Sequence, residues 1–395
     1  MVGVGAGGLD EDAWNVARSA DVVLGGRRHL ALMPEVEGQE RRVWPTPLLP
    51  GLRELLAGLT GRRVVALASG DPLVSGVGST LVRELGADAV EILPAVSSVA
   101  LARARMRWSA EESVVVTLVG RHEARVLREL APGRRVLALT SGADSVSVVA
   151  ALLCQAGWDD ASLSVLGDLG TAHESRELRS AREWAADAES SVPALHVLAI
   201  EIPTVATHPA SWVAGLPDDA YEHDGQLTKR DLRASALARL APAPGQHLWD
   251  VGAGAGSVGI EWMRAHPTCR TTAVEADPQR AARIGRNAVR LGVPDLCVVE
   301  GRAPDALAGL QSPDAIFIGG GATRAGVLDA CLDALRPGGR LVVHGVTLET
   351  EVLLADAHRR LGGELTRLSV EVAAPVGSFT GWSPLRTVTQ WSTTR

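Results

Sequence analysis

The chain has 395 residues, enough for two to three domains, each with its own buried core. A composition of 46% hydrophobic and 22% charged residues excludes a disordered or membrane-embedded chain, and a formal net charge of −7 argues against bulk binding of nucleic acid. Lys229 is the sole lysine among 39 basic residues, so abundant arginine alone says little about anion recognition, and Cys154, Cys269, Cys297 and Cys331 are too scattered for a disulfide framework or a zinc site.

No apolar run reaches the roughly 18 residues of a membrane helix. Met1 to Val4 already reads as a strand, leaving no room for a signal peptide, so a cytoplasmic location without a membrane partner is expected. GAGG (Gly5 to Gly8) follows, then a helix over LDEDAWNVARSA with acidic residues in its first turn, and a strand Val22 to Leu24 ending in GGRRH. Next come a helix around Leu52 to Leu59, a strand Val64 to Ala68, the loop SGDPLVSGVG (Ser69 to Gly78), a helix to Leu85, and a strand Val90 to Leu93 running into PAVSS. Ser109 and Glu112, spaced as a capping box, mark a connection between two lobes. The rhythm then repeats: strand Val114 to Val119, a helix to Leu130, strand Arg135 to Thr140, a helix to Gly157, and strands Leu163 to Leu166 and Leu195 to Ile202. The pattern predicts α/β structure of largely parallel character in two lobes.

From Pro203 to Asp224 the periodicity breaks down around Pro203, Pro209 and Pro217, which places a linker over 203–224 between domains 1–202 and 225–395. QLTKRDLRASALARLA opens the second domain as an amphipathic helix, with Thr228 and Asp231 as an N-terminal capping pair. HLWDVGAGAGSVGIEWMRAHPTCRTTAVE (His247 to Glu275) then reads as a βαβ unit: a strand through Asp250, the turn Gly252, Gly254, Gly256, an amphipathic helix, and a strand closing on Glu275. Glycines let a ligand approach the backbone, and a carboxylate about twenty residues on accepts both hydroxyl hydrogens of a ribose, so a nucleoside cofactor is expected. Gly254, Gly256 and Gly259 also satisfy the dinucleotide pattern, which keeps a nicotinamide-dependent oxidoreductase open at this point. Asp277 and Pro278 start the next helix; strands Cys297 to Glu300, Ala315 to Ile318 and Arg340 to His344 follow, and Leu368 to Ala373 and Thr387 to Ser392 are expected to pair as a terminal hairpin.

The order GVGAGG, ADVVLGGRRHL, SGDPLVSGVGSTL, PAVSS over residues 1–202 resembles the tetrapyrrole methylase family. YEHDGQLTKRDLRA, LWDVGAGAGSVGIE, EGRAPDAL, FIGGG and LRPGGRLVVHGVTLET, from about Tyr221 onward, resemble decarboxylating precorrin methyltransferases. The fusion resembles the decarboxylating precorrin-6Y C5,15-methyltransferase family of cobalamin biosynthesis. The resemblance implies a two-lobed tetrapyrrole methylase fold that methylates C5. Behind it would stand a Rossmann-like class I methyltransferase with a mixed seven-stranded sheet, methylating C15 and decarboxylating the C12 acetate chain. It further implies S-adenosylmethionine at two sites per chain, a polycarboxylate precorrin substrate and a homo-oligomer. The implied cofactor contacts are Thr228, Gly252, Ala253, Gly254, Ala255, Gly256, Glu275 and Ala303 in the second half, and Gly5, Gly70, Asp71, Pro72, Ser97 and Ser98 in the first. Arg302 stands where methyltransferases often carry an aspartate accepting from the adenine amino group, so that contact is not carried over.

A polycarboxylate substrate needs guanidinium or ammonium partners near strand ends. The candidates are Arg27, Arg28, Arg121 and His122 in the first half and Lys229, Arg230, Arg324 and Arg386 in the second, while His344, at a strand end, is the candidate proton donor.

Overall fold

The computed structural model describes residues 1–187, 190–204 and 211–395, and the chain separates into two units. One unit comprises Met1–Glu123 and Gly133–Thr204, the other Ala124–Pro132 and Val205–Arg395. Residues 205–210, including Pro209 of the expected linker, lie outside the described residues.

In the first unit, β1 (Val2–Val4), α1 (Glu11–Arg18), β2 (Val22–Gly25), α2 (Arg27–Ala31), β3 (Glu40–Val43), α3 (Leu48–Ala57), β4 (Val64–Ser69) and α4 (Gly78–Leu85) form one lobe. Its sheet runs β1-β4-β2-β3, parallel throughout, with Val22, Val23 and Leu24 buried as a strand covered on both faces requires. The second lobe holds α5 (Ser98–Met106), β5 (Ser113–Thr117), β6 (Arg135–Leu139), α6 (Ser145–Gln155), β7 (Ser162–Gly167), β8 (Ser175–Ser180), α7 (Ala181–Ala186) and β9 (His196–Glu201). Here the largely parallel expectation fails: the order is β5-β6-β9-β7-β8, and only β5 and β6 pair parallel. Short connections such as the one from β7 to β8 suit antiparallel neighbours, since a parallel return needs a crossover.

Two further expectations change. Val90 to Leu93 is not a strand, because Pro94 has no N–H to extend a ladder and only Leu93 bridges Val2. Ser109 does accept from the Glu112 N–H at 3.2 Å, but the bond closes a turn before β5 rather than a helix start.

The second unit contains α8 (Arg230–Leu240), β10 (His247–Val251), α9 (Ser257–Ala265), β11 (Arg270–Glu275), α10 (Pro278–Arg290), β12 (Cys297–Glu300), β13 (Ala315–Ile318), α11 (Val327–Ala334), β14 (Arg340–Gly345), α12 (Leu348–Leu361), β15 (Glu364–Leu368), β16 (Glu371–Val376), β17 (Phe379–Pro384) and β18 (Val388–Thr394). Its seven-stranded sheet runs β12-β11-β10-β13-β14-β18-β15, with β18 antiparallel to both neighbours and the first five strands parallel. Alternate residues of β10 feed opposite faces. Leu248 joins a core with Leu237, Trp262 and Ile284 beneath α8, α9 and α10, while Trp249 and Val251 join Val327, Cys331 and Leu354 beneath α11 and α12.

The expected Leu368 to Ala373 strand is two strands. β15 pairs with β18, whereas β16 and β17 form a separate two-stranded arm carrying Phe379 and Trp382 in solvent. The expected linker also ends early, since Leu216 and Tyr221 are buried in the second unit's core. Helix α9 is not amphipathic: Ser257 through Arg264 are all buried. Among the described residues no helix is long and apolar enough to cross a membrane, and no cluster of His, Cys, Asp or Glu could hold a metal ion.

Candidate active site

The first five strands of the second unit's sheet are parallel, so their carboxyl ends meet at one edge, where a cavity of about 760 Å³ opens. Its wall includes Thr228, Lys229, Gly252, Ala253, Gly254, Glu275, Ala303, Arg324, His344 and Arg386 of the expected residues, together with Arg302. Arg230 is not on the wall, and neither are Ala255 and Gly256. Ala255 is buried in the turn, and Gly256 takes the left-handed conformation before α9, where a Cβ would lie 2.7 Å from Ile284 Cγ2. Their part is to shape the turn.

Gly252 and Gly254 both have positive φ, and the space a side chain would need is taken: a Cβ on Gly252 would sit 2.8 Å from Gly320 O, and one on Gly254 2.8 Å from Gln226 O. Glu275 fixes this loop. Its Oε2 accepts from the Gly254 N–H at 2.8 Å and its Oε1 from the Asp277 N–H at 3.0 Å, leaving acceptor capacity on both oxygens for a vicinal diol. A bare glycine cradle, a carboxylate at the neighbouring strand tip and a cavity of this volume fit a nucleoside cofactor. Asp250, behind the cradle, accepts on Oδ2 from the Gly259 N–H at 2.9 Å, while burial pushes its carboxyl up to about 7.

The opposite wall is the segment Gly225 to Lys229, and sequence reasoning missed what holds it. Asn287 on α10 accepts from the Glu222 N–H and donates to the carbonyls of Glu222 and Ala255, tying the segment to the glycine turn. Asp224 pairs with Arg280 at 2.9 Å and Arg283 at 3.1 Å, and the Arg280 hydrogen bond leads in holding its carboxyl well below the usual range. Arg233, fully buried, donates to Glu261 Oε1 at 2.6 Å and to the carbonyls of Thr228 and Leu216. Glu261 also accepts from the Gly215 and Leu216 N–H groups and the Tyr221 hydroxyl. Thr228 is therefore not the helix cap: α8 starts from Lys229 without a side-chain cap, and Thr228 serves through its carbonyl and its place on the wall.

Of the cations on the wall, Lys229 pairs with Asp218 at 3.3 Å and Arg324 with Asp305 at 3.3 Å, while Arg302 and Arg386 have no side-chain partner among the described residues. His344 is buried, and burial pushes it down to about 4. It accepts on Nε2 from the Gln390 amide at 2.8 Å, with the Gln390 oxygen accepting from Arg239 Nε at 2.9 Å. A histidine held neutral in this way is a poor proton donor near pH 7, which weakens its candidacy as the acid.

In the first unit the expected residues gather at the carboxyl ends of β1, β2 and β4. The Gly70 N–H bonds to Val4 O at 2.8 Å, Ala95 N–H to Gly70 O, and a Cβ on Gly70 would lie 2.7 Å from Ser97 Cα. Arg28 donates to Ser69 Oγ at 3.0 Å, and His29, which the sequence reading passed over, lies 2.9 Å from the same hydroxyl. Arg27 opens α2 at the same edge, and Arg121 lies in the turn after β5. Several of these groups already have structural partners: Gly5 bridges Gly8, Asp71 accepts from the Leu73 N–H, Pro72 O accepts from the Gly78 N–H, and Ser97 caps α5, which begins at Ser98.

Comparison with known proteins joins the two units. Residues 1–183 match the family model described as tetrapyrrole (corrin/porphyrin) methylases, and residues 219–395 the one described as precorrin methyltransferase domain. A Sinorhizobium sp protein named precorrin-6Y C(5,15)-methyltransferase [decarboxylating] is 45% identical over 392 residues, 99% of this chain and 94% of that protein. The chain belongs to the decarboxylating precorrin-6Y C5,15-methyltransferase family. A member from Mycobacterium tuberculosis (strain ATCC 25618 / H37Rv) is 43% identical over 398 residues, 100% of this chain and 99% of its own. A Salmonella typhimurium protein named cobalt-precorrin-6B C(15)-methyltransferase (decarboxylating) is 37% identical over 118 residues, 30% of this chain and 60% of that one.

Proposed function

We propose that this member of the family moves two methyl groups from S-adenosylmethionine to C5 and C15 of a precorrin in cobalamin biosynthesis and removes the carboxyl group of the C12 acetate chain. The first domain, 1–202, carries the C5 step, and the second, 225–395, carries the C15 step and the decarboxylation, so the chain has two cofactor sites. Full-length similarity to relatives bearing that name supports the pairing of activities. The observation that carries the second site is the cavity whose wall brings together Gly252, Gly254, Glu275, Arg302 and Arg386. The cofactor supplies an electrophilic methyl on a sulfonium; a reduced tetrapyrrole supplies the carbon nucleophile.

The chain's own part is binding, orientation and exclusion of water. The glycine cradle admits the cofactor, and Glu275 takes its ribose. Arg386, with Arg324 and Lys229 once their carboxylate partners yield, pairs substrate carboxylates in the same cavity. A site that pairs the other carboxylates and leaves one desolvated and unpaired favours loss of that one as carbon dioxide. In the first unit Arg27, Arg28 and Arg121 take the corresponding orienting role. A homo-oligomer and a cytoplasmic location belong to the same reading, supported by the solvent-exposed arm of β16 and β17 and by four free thiols.

The test is mass analysis of precorrin-6B incubated with S-adenosylmethionine and the full chain. The wild type should add two methyl groups and lose one carbon dioxide; Glu275→Ala should still add one methyl and release none. A variant that still releases carbon dioxide at the wild-type rate overturns the assignment of roles.

A further inference from the structure

The cavity has a polarity set by the sheet order β12-β11-β10-β13-β14. If Glu275, at the tip of β11, takes a ribose, then the attached base lies toward β12, against Ala276, Arg280 and Gly301 to Ala303. The transferred group and the acceptor lie toward β13 and β14, near Gly319, Arg324, His344 and Arg386.

What the β12 side offers a base is one-sided. Among the described residues Glu275 is the only carboxylate on the cavity wall, and both of its oxygens already accept backbone N–H groups. Of the nearby acids, Asp224 pairs with Arg280 and Arg283, Asp277 with the first N–H groups of α10, and Asp305 with Arg324, while Glu300, beside Glu275 at the end of β12, is not on the wall. Arg280 is spent on Asp224. That leaves Arg302, exposed at the end of β12 and without a side-chain partner among the described residues. A guanidinium only donates hydrogen bonds. An adenine amino group also donates, so the two cannot pair; Arg302 meets N3 or N7, ring acceptors that adenine and its deaminated counterpart share.

We propose that Arg302 is the base-recognising residue of the second-unit cofactor site, and that it reads a purine through acceptor atoms, leaving the exocyclic amino group unread by any side chain. This rests on the proposed S-adenosylmethionine site. A deaminated base, which presents a carbonyl oxygen where adenine presents the amino group, is accepted as well as adenine.

Calorimetry on the full chain tests this with S-adenosylhomocysteine and S-inosylhomocysteine, using Glu275→Ala in parallel to mark the heat that belongs to the first unit. In the wild type the two ligands should bind the Glu275-dependent site within about threefold of each other, and Arg302→Asp, which supplies an acceptor, should favour the adenosyl compound by about tenfold or more. A wild-type preference for the adenosyl compound of tenfold or more, unchanged in Arg302→Asp, overturns the role of Arg302. Absence of any Glu275-dependent binding of S-adenosylhomocysteine instead overturns the underlying site and is distinguishable from the first result.

Discussion

Replacing Arg233 by Met isolates the device that holds one wall of the cavity. The Arg233 side chain is fully buried and that of Glu261 is 3% exposed, so neither charge exchanges its partner for water. Met fills most of the volume but leaves the Glu261 carboxylate without its cation and the carbonyls of Thr228 and Leu216 without a donor. Breaking a buried pair in this way costs about 3–5 kcal/mol. For a unit of this size that lowers the midpoint of its thermal transition by roughly 6–20 °C. The damage should reach ligand binding, because Thr228 lies on the wall; a Kd for S-adenosylhomocysteine about tenfold weaker is expected. In Arg233→Met/Glu261→Gln the neutral amide leaves no unpaired charge buried, and its single oxygen still accepts from one of the Gly215 and Leu216 N–H groups, so the double variant should recover about 1–2 kcal/mol relative to the sum of the single ones. Differential scanning calorimetry of the four proteins decides it. A loss under about 1 kcal/mol for Arg233→Met, or strict additivity, refutes the latch.

Gly252→Ala forces a left-handed Ala with its Cβ 2.8 Å from Gly320 O, so calorimetry should show affinity for S-adenosylhomocysteine at this site falling more than about tenfold; unchanged affinity would show the cradle is not in contact. Glu275→Ala removes two charge-assisted ribose contacts and should weaken the same binding by about a hundredfold; unchanged binding would show that the carboxylate does not meet the ribose. Two buried groups tilt stability oppositely with pH. Asp250, pushed up to about 7, binds its proton more tightly folded than unfolded, so its contribution falls as pH rises from about 4 to 7; His344, pushed down to about 4, contributes stability that is lost as pH falls from about 6.5 to 4. Each slope is at most about 1.4 kcal/mol per pH unit, and in the wild type they oppose one another over the shared window. In denaturant titrations at pH 4.5 and 6.5, Asp250→Asn should therefore gain stability with pH relative to wild type and His344→Gln should lose it; parallel behaviour of all three contradicts this.

The sequence was most readable where local chemistry and tertiary structure demand the same thing. Strands Cys297–Glu300 and Ala315–Ile318 fall where short apolar runs end at glycine-bearing turns, and Asp277 caps α10 through the N–H groups of Gln279 and Arg280 while Pro278 takes the first turn. The turn at Gly252 to Gly256 announced itself because a left-handed backbone leaves few residue choices. Strand β8 was missed for the opposite reason: SRELRS is largely exposed, and an edge strand needs no alternating burial. The Leu368 to Ala373 run looked continuous because its interruption at Ser369 and Val370 is decided by pairing partners far along the chain. The Arg233–Glu261 pair had no local signature either, since a charged residue on the inner face of a helix looks like an exception to periodicity until its partner is seen. Thr228 was misread as a cap because the spacing to Asp231 satisfied a local rule that the wall contact overrode.

The bond from Gly254 to Glu275 has a kinetic implication. The carboxylate that meets the ribose already braces the loop before any ligand arrives, so little disorder remains to be quenched on docking. Association at this mouth should then proceed nearly as a rigid-body encounter, and differences in affinity among nucleoside analogues should surface chiefly as differences in residence time.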